Sequence, residues 1–181
     1  MSKKTLLLHS CCGPCSSYVL SYLKDEFDIT LVYYNPNIYP KAEYKKRYEE
    51  QKRLIKEMFN NEIKIMEVNY IPLFYYIKVL GHEKDKEGQE RCHICYKLRM
   101  EKTCKLAKKY GFDYFTTTLS VSPYKNADVL NEIGKALEEK YKVNYLESNF
   151  KKHDGYKKSI EYSKEYNLYR QNYCGCKFSK R

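Results

Sequence analysis

The sequence has no tryptophan, only seven glycines and five prolines, and no long apolar run. Its longest run of aliphatic residues is Leu6–Leu8, far short of the roughly 18 apolar residues of a membrane-spanning helix. Met1–Lys4 leads into a very short strand-like segment, so a secretory signal peptide is not expected. These absences predict a cytoplasmic protein that makes no contact with a membrane.

Internal repeats, low-complexity segments and Gly/Ser-rich linkers are also absent. The chain has 181 residues, and domains usually contain roughly 100–200 residues. It is 43% hydrophobic and 31% charged, which argues against intrinsic disorder. We therefore predict a single α/β domain over residues 1–181.

Basic residues outnumber acidic ones, 34 to 23, for a formal net charge of +11. A charge of this size suits a polyanionic partner, of which nucleic acid is the commonest. A lysine-rich surface without such a partner gives the same composition. The 21 tyrosines can stack on unpaired bases, and they fit a protein core equally well. Composition therefore leaves nucleic-acid binding open.

Strand and helix patterns alternate along the chain. Strands are predicted at Thr5–His9, Ile29–Tyr34, Ile63–Val68, Asp113–Thr118 and Val143–Glu147. Helices are predicted at Ser16–Lys24, Lys41–Asn60, Ile71–Leu80, Cys92–Tyr110, Asp128–Lys140 and Ile160–Asn167. This alternation predicts an α/β fold with a mostly parallel five-stranded sheet and helices on both faces.

Two segments directly follow predicted strands. One is the cysteine-rich stretch Cys11–Cys15, after the first strand, and the other is Leu119–Asn126, after the fourth. Open α/β sheets bind ligands beyond the carboxyl ends of their strands. We therefore expect both segments at the functional edge of the sheet.

Seven of the eight cysteines fall into three groups. The groups are Cys11-Cys12-Gly13-Pro14-Cys15, Cys92-His93-Ile94-Cys95 and Cys174-Gly175-Cys176. In a reducing compartment, clustered cysteines indicate metal or redox chemistry rather than structural disulfides. Seven thiols exceed the four ligands of a closed zinc site, which favours an iron–sulfur cluster with a neighbouring metal or redox pair. Cys104 stands apart, at helical spacing from Met100 and Ala107, and is expected in the core.

Two other interpretations remain open from the cysteines alone. A strand, then Cys12-Gly13-Pro14-Cys15, then a helix is the pattern of thioredoxin-like disulfide oxidoreductases, with Cys12 as nucleophile and Cys15 as resolving thiol. A structural zinc site could instead stabilise an RNA-binding module. ATP use is not expected, because the loop after the first strand has one glycine and a proline, whereas phosphate binding needs several glycines and free N–H groups.

Four stretches together resemble the QueH-type epoxyqueuosine reductases. They are His9–Cys15 (HSCCGPC), Arg91–Arg99 (RCHICYKLR), Thr117–Asn126 (TTLSVSPYKN) and Tyr169–Ser179 (YRQNYCGCKFS). The four stretches span nearly the whole chain in order, and the cysteine framework shows no departure from the family.

The resemblance implies the nucleotide-binding α/β sheet found in tRNA thiolases. It implies the last step of queuosine synthesis, the two-electron removal of the epoxide oxygen from epoxyqueuosine at the wobble position of tRNA. The implied cofactors are a [4Fe–4S] cluster and an additional mononuclear iron, without cobalamin. The implied partners are the anticodon stem-loop of tRNAs with GUN anticodons and an electron donor of unknown identity.

All seven clustered cysteines are then expected to bind metal. We assign the cluster to four thiols of the first two groups: Cys12, Cys15, Cys92 and Cys95. We assign the second iron to the remaining three: Cys11, Cys174 and Cys176. Three of the seven are expected to be catalytic: Cys11, Cys12 and Cys176. This arrangement requires the tail, residues 169–181, to fold back onto the metal site.

Substrate contacts are expected from hydroxyl, amide and cationic side chains near these thiols: Ser122, Tyr124, Lys125, Asn126 and Arg170. For the segment after the fourth strand, a loop with local side-chain caps is the alternative. His9 and His93 flank thiols, and we expect a supporting or exposed role rather than metal ligation. Arg91 and Arg99 are expected either to contact tRNA, to orient ligands or to lie on a solvated surface.

Overall fold

The computed structural model describes residues 2–180, and five of its strands form one sheet. The strands are β1 (Lys4–Ser10), β2 (Phe27–Tyr33), β3 (Lys64–Glu67), β4 (Tyr114–Thr117) and β5 (Asn144–Tyr145). The helices are α1 (Gly13–Leu23), α2 (Lys41–Phe59), α3 (Leu73–Lys78), α4 (Glu90–Tyr110), α5 (Ala127–Tyr141) and α6 (Gly155–Glu165). Every strand pairing in this sheet is parallel. The predicted α/β fold is confirmed, with a fully parallel sheet.

The strand order is β3-β2-β1-β4-β5. The chain moves outward from β1 to β3 and then adds β4 and β5 on the other side of β1, as in doubly wound nucleotide-binding sheets. The direction therefore switches between β1 and β4, which pair over Leu6–His9 and Tyr114–Thr117. The loops that follow these two strands meet at the switch point, which is the usual ligand site of such sheets.

Helices cover both faces of the sheet because β1 is apolar on both sides. Leu6 and Leu8 pack with residues of α1 and α2 in one core cluster, whereas Leu7 packs with residues of α4 and α5 in another. A continuous apolar run of this kind is typical of parallel strands buried on both faces. Cys104 belongs to the second cluster and is fully buried, which confirms the prediction that it is a core residue.

Some element ends differ from the sequence predictions. The α1 helix begins at Gly13 rather than Ser16, because Cys12 is its extended N-cap and Pro14 is tolerated in a first turn, where no N–H is needed. The α4 and α6 helices also begin earlier than predicted, and β5 is shorter. Across residues 2–180, no helix is both long enough and apolar enough to cross a membrane.

Candidate metal centre

Three thiols meet where β1 ends and the chain turns into α1. The Sγ atoms of Cys11, Cys12 and Cys15 all lie within 4.8 Å of one another. They converge because Cys12 is the N-cap of α1 and Cys15 lies in its first turn. We call these three residues the thiol trio. In the described part of the chain, the trio is the one group of at least three Cys, His, Asp or Glu side chains that could hold a metal ion.

The spacing of the trio suits ligation of a single metal atom. Two sulfurs bound tetrahedrally at about 2.3 Å from one ion lie about 3.8 Å apart. The Cys11 and Cys12 sulfurs are 3.7 Å apart. One metal atom can therefore contact these two thiols without a large movement of the chain.

The three thiols of the trio differ in pKa. Hydrogen bonds from the Cys11 and Cys15 thiols hold the pKa of Cys12 well below its ordinary value, and the Cys15 backbone N–H adds to this effect. The contact with Cys12 raises the pKa of Cys11. Contacts with both other sulfurs, together with burial, raise the pKa of Cys15 well above its usual range. Cys12 is therefore the thiol of the trio that loses its proton most readily, with Cys11 and Cys15 as its S–H donors. The thiolate is the form of cysteine that binds metals and reacts as a nucleophile.

Buried polar side chains fix the loop that carries the trio. The Ser10 and Ser16 hydroxyls lie 2.6 Å and 2.8 Å from Oε1 of Gln51 and 2.6 Å from each other. The Asn35 amide donates to the Ser10 carbonyl at 2.8 Å. Gln51 is fully buried on α2. The trio therefore rests on a polar network that joins β1, α1 and α2.

His9 supports this end of β1 from inside the sheet. Its Nε2 donates to the Tyr34 carbonyl at 3.1 Å, because a carbonyl oxygen can only accept, and its Nδ1 therefore accepts from the Thr117 hydroxyl at 3.0 Å. Burial, reinforced by the charge of Arg99, lowers the pKa of His9 to about 4. Both ring nitrogens are in use, so His9 is a neutral supporting residue. The alternative of an exposed His9 is wrong.

The other four clustered thiols come from α4 and the C-terminal tail. Cys92 and Cys95 lie near the start of α4, and Cys95 packs with Cys176 in a small buried cluster. Burial raises the pKa of Cys92 and raises that of Cys95 to about 12, and the thiols of Cys174 and Cys176 add to both effects. We call these four residues the thiol quartet. The predicted division of thiols between two centres, which splits the trio, does not follow this grouping.

Arg47 of α2 holds the tail next to these thiols. It is 1% exposed, and its guanidinium donates to the Cys174 carbonyl at 3.0 Å and to the Tyr173 carbonyl at 3.2 Å. Its Nε donates to the Glu43 carboxylate at 2.7 Å, so the buried charge is paired. The sequence gives no sign of this role, because a buried arginine on a charged amphipathic helix looks like its exposed neighbours.

A cavity of about 300 Å³ opens beside the trio, at the lower end of the range for ligand pockets. All three trio residues line it, together with Cys174 of the tail. Polar and cationic residues complete much of the wall, including Arg99, Ser122, Tyr124, Lys125, Arg170 and Gln171. The loops after β1 and β4 and the tail thus surround one space.

Four predicted substrate-binding residues line this cavity: Ser122, Tyr124, Lys125 and Arg170. Asn126 lies outside it, and its side-chain oxygen accepts from two backbone N–H groups as the N-cap of α5. Of the predicted catalytic cysteines, Cys11 and Cys12 line the cavity, whereas Cys176 is buried beside Tyr75. For Asn126, the observed contacts are those of the alternative prediction, a loop with local side-chain caps.

Two cationic side chains lie close to the thiols in the cavity wall. Lys125 is half-buried; burial lowers its pKa, but nearby thiols and a tyrosine, led by Cys174, outweigh this effect and raise it. Arg99 is 1% exposed, so the alternative of a solvated surface role is wrong. Its position one helical turn after Cys95 is the sequence signal that places it near the thiols.

A protein-family model described as "Epoxyqueuosine reductase QueH" matches residues 6–181. Curated relatives with the same name include one from Streptococcus pyogenes serotype M1, 41% identical over 181 residues that cover 98% of this chain and 71% of the relative. One from Staphylococcus epidermidis is 42% identical over 180 residues, with 96% and 75% covered. One from Thermotoga maritima is 38% identical over 177 residues, with 97% and 90% covered. The matched range contains the trio, the quartet and the segment after β4. The chain therefore belongs to the epoxyqueuosine reductase QueH family.

Proposed function

We propose that this chain is an oxidoreductase that reduces epoxyqueuosine in tRNA to queuosine. The reaction consumes two electrons and two protons and releases the epoxide oxygen as water, leaving a carbon–carbon double bond. The observation that supports it best is the cavity at the switch point of the sheet, where thiols of the matched cysteine groups face the segment after β4. The relatives share the name of this activity.

The donor set fits iron centres. Cysteine thiolates are the usual ligands of iron–sulfur clusters, and the trio offers three adjacent sulfurs. We assign the additional mononuclear iron to the trio, because three protein ligands leave a coordination position free. We assign the [4Fe–4S] cluster to the quartet, because such a cluster takes four thiolates.

The side chains around the cavity have separate roles in this chemistry. When bound, the two centres supply a Lewis acid for the epoxide oxygen and a source of single electrons. Lys125 keeps its charge beside the thiols and offers an N–H donor for the negative charge that develops on that oxygen. Tyr124 is 72% exposed, and its ring offers a stacking surface for an unpaired base. Arg170 lies in the wall of the same cavity, where it can contact a phosphate.

The partner in this proposal is the anticodon stem-loop of tRNAs with GUN anticodons. The net charge of +11 attracts a polyanion. Phosphate contacts release counterions, so the affinity should fall steeply with salt. A tRNA substrate is consistent with the expected cytoplasmic location. The second partner is an electron donor whose identity is open.

We also propose that ATP takes no part, and from the family resemblance alone we propose the same for cobalamin. In nucleotide-binding sheets, phosphate binds at the helix N-terminus that follows β1. Here Cys12 is the N-cap of that helix, and Pro14, which has no N–H, lies in its first turn. Thiols therefore occupy the position at which a phosphate would bind.

A thioredoxin-like disulfide oxidoreductase is the second candidate. The lowered pKa of Cys12 and the raised pKa of Cys15 suit a nucleophile and its resolving thiol. The third thiol, Cys11, lies 3.7 Å from Cys12 and has no part in a dithiol mechanism. Reduction of insulin disulfides that survives Cys92→Ser and Cys95→Ser would favour this candidate.

Analysis of tRNA nucleosides in a strain that lacks the gene tests the proposed function. The strain should accumulate epoxyqueuosine and contain no queuosine. Expression of the wild-type chain should restore queuosine, whereas Cys12→Ser and Cys95→Ser should not. Cys104→Ala, a buried cysteine outside the motifs, is the matched control and should restore it. Restoration by Cys12→Ser or Cys95→Ser would contradict the site assignment.

Metal content separates the cofactors in the same variants. Anaerobically reconstituted wild-type protein should contain iron and acid-labile sulfide. Cys95→Ser should lose the sulfide together with the cluster iron, whereas Cys11→Ser should lose only the additional iron and keep the sulfide. A colourless wild-type protein with zinc and no iron would favour the zinc-stabilised RNA-binding module.

A further inference from the structure

Arg99 is a fully buried cation, and one of its hydrogen-bond donors has no partner among the described residues. Its Nε donates to the Cys95 carbonyl at 3.2 Å, one turn earlier on α4. Its Nη2 is buried and has no hydrogen-bond partner among the described residues. A buried charged donor without a partner is unfavourable, and an anion placed beside it offsets much of that cost. The unpaired Nη2 therefore indicates that Arg99 has a partner of opposite charge when the site is complete.

The position of Arg99 shows which groups can provide that charge. Arg99 lines the cavity that the trio also lines. Burial lowers the pKa of Arg99, but the thiols of Cys95, Cys174 and Cys11 outweigh this effect and raise it. These three residues come from α4, the tail and the loop after β1. Arg99 is thus a cation shared by all three cysteine-bearing segments.

Arg47 provides a contrast within the same fold. It is equally buried, but its Nε, Nη1 and Nη2 all donate, to the Glu43 carboxylate and to two carbonyls of the tail. Its charge is satisfied by the protein alone, and its role is to hold the chain. Arg99 has no such set of partners for its Nη2, so holding the chain does not explain its burial.

We propose that Arg99 is a positioning residue whose Nη2 donates a hydrogen bond to a sulfur of the thiolate-bound iron centres and raises their reduction potential. This inference rests on the proposed function, in which the thiols bind iron. Each electron added to such a centre increases its negative charge, so a nearby fixed cation stabilises the reduced form more than the oxidised form. Hydrogen bonds to sulfur are among the main determinants of cluster potential. Arginine suits this position because its charge does not titrate and its planar fork can donate in two directions.

Potentiometric titration of reconstituted protein tests this role. R99M keeps the length of the side chain but removes the charge and the donors. We expect R99M to load as much iron as the wild type and to show about a tenfold smaller equilibrium constant for one-electron reduction, which is about 59 mV. R99K keeps the positive charge but lacks the planar guanidinium, so its reduction potential should shift by less than that of R99M. Lys97→Met, which removes an exposed cation from the same helix, is the matched control and should leave the potential unchanged.

A second measurement separates this role from a purely structural one. In the metal-free protein, Arg99 is a buried charge with an unpaired donor, so R99M should unfold at an equal or higher urea concentration than the wild type. A lower unfolding midpoint would show that Arg99 is a structural residue and would overturn the proposal. An unchanged potential in iron-loaded R99M would also overturn it. If R99M loads no iron, the potential of R99Q decides in its place.

The iron content of the wild type distinguishes failure of this inference from failure of the proposed function. If the wild type loads iron but does not reduce epoxyqueuosine, the proposed function is wrong and the potential of R99M still tests Arg99. If the wild type binds neither iron nor sulfide, both proposals are wrong. If the wild type is active and R99M has the wild-type potential, the inference about Arg99 alone is wrong.

Discussion

The thiol trio and the C-terminal tail contribute to the same cavity but are built in different ways. The trio lies within Cys11–Cys15, at the end of a buried strand and the first turn of a helix. The tail thiols, Cys174 and Cys176, follow a stretch without regular strand or helix. Local chain geometry is enough to bring the trio together. The tail reaches its place through contacts with residues 127 and 134 positions away.

The contacts that hold the tail come mainly from the segment around the start of α2. Arg47 donates to two tail carbonyls, and the Tyr39 N–H donates to the Gly175 carbonyl at 2.7 Å. The Tyr169 hydroxyl donates to the Glu43 carboxylate at 3.1 Å. Most of the accepting groups on the tail are backbone carbonyls. The tail should therefore be sensitive to the geometry of a few donors, whereas the trio should survive their loss.

Arg47→Met should have the largest effect, and the tail should be the region that it disturbs most. The substitution removes both hydrogen bonds to the tail and leaves the Glu43 carboxylate without its buried partner. We expect the free energy of unfolding of the metal-free protein to fall by roughly 3–5 kcal/mol. Urea unfolding measures this loss, and limited trypsin digestion should show faster cleavage after Lys177.

The exposed ion pair of Lys52 with Glu49 on the same helix provides the control. Lys52→Met removes the same charge from α2, and we expect it to change the free energy of unfolding by less than about 1 kcal/mol. If trypsin cleaved Arg47→Met after Lys177 no faster than it cleaves Lys52→Met, contacts other than those of Arg47 would hold the tail.

The support of the trio should respond to pH through His9. Burial lowers the pKa of His9 to about 4 in the folded protein, whereas the unfolded chain binds a proton near pH 6.5. Between these values the unfolded state binds more protons, so the free energy of unfolding should fall as the pH drops from about 6.5 to about 4. The full loss should be roughly 3 kcal/mol. Urea unfolding of the metal-free protein at several pH values measures it.

The comparison of two histidine variants isolates this effect. His9→Gln should flatten the pH dependence in that window, whereas His153→Gln, at an exposed position, should leave it intact. Residues 169–181 contain no histidine, so this loss belongs to the trio side of the site. If the free energy of unfolding of His9→Gln fell with pH as steeply as that of the wild type, a group other than His9 would titrate in this pH window.

The trio forms through local chain geometry and the tail through distant contacts, and this difference explains which features could be predicted from the sequence. The fold class and the position of Cys11–Cys15 depend on short patterns: apolar strands, amphipathic helices and a strand that ends in a cysteine-rich turn. The grouping of the quartet depends on where the tail goes, and that in turn depends on Arg47. The burial of Arg47 and Arg99 could not be predicted, because an arginine on an amphipathic helix has the same local pattern whether it meets solvent or a distant carbonyl.

Two glycines beside cysteines give the finest test of the contrast. Gly175 has φ of +124°, and a Cβ there would lie 3.0 Å from Cγ1 of Ile38 and 3.1 Å from Nη1 of Arg47. Gly175→Ala should therefore weaken the docking of the tail by about 1–3 kcal/mol. Cleavage by trypsin after Lys177 should speed up about tenfold for each 1.4 kcal/mol, because cleavage follows the population of the detached tail.

Gly13 is the matched position in the trio. A Cβ there would lie 3.4 Å from Cγ of Glu50, which is an ordinary contact, and Gly13 opens α1, where alanine is a better helix former. Gly13→Ala should leave the free energy of unfolding unchanged or raise it by a few tenths of a kcal/mol, with no change in the alkylation rate of Cys12. Equal tolerance of both substitutions would mean that the tail adapts as readily as a helix turn. In that case the hydrogen bonds from Arg47 would have to hold the tail without requiring a particular backbone conformation at Gly175.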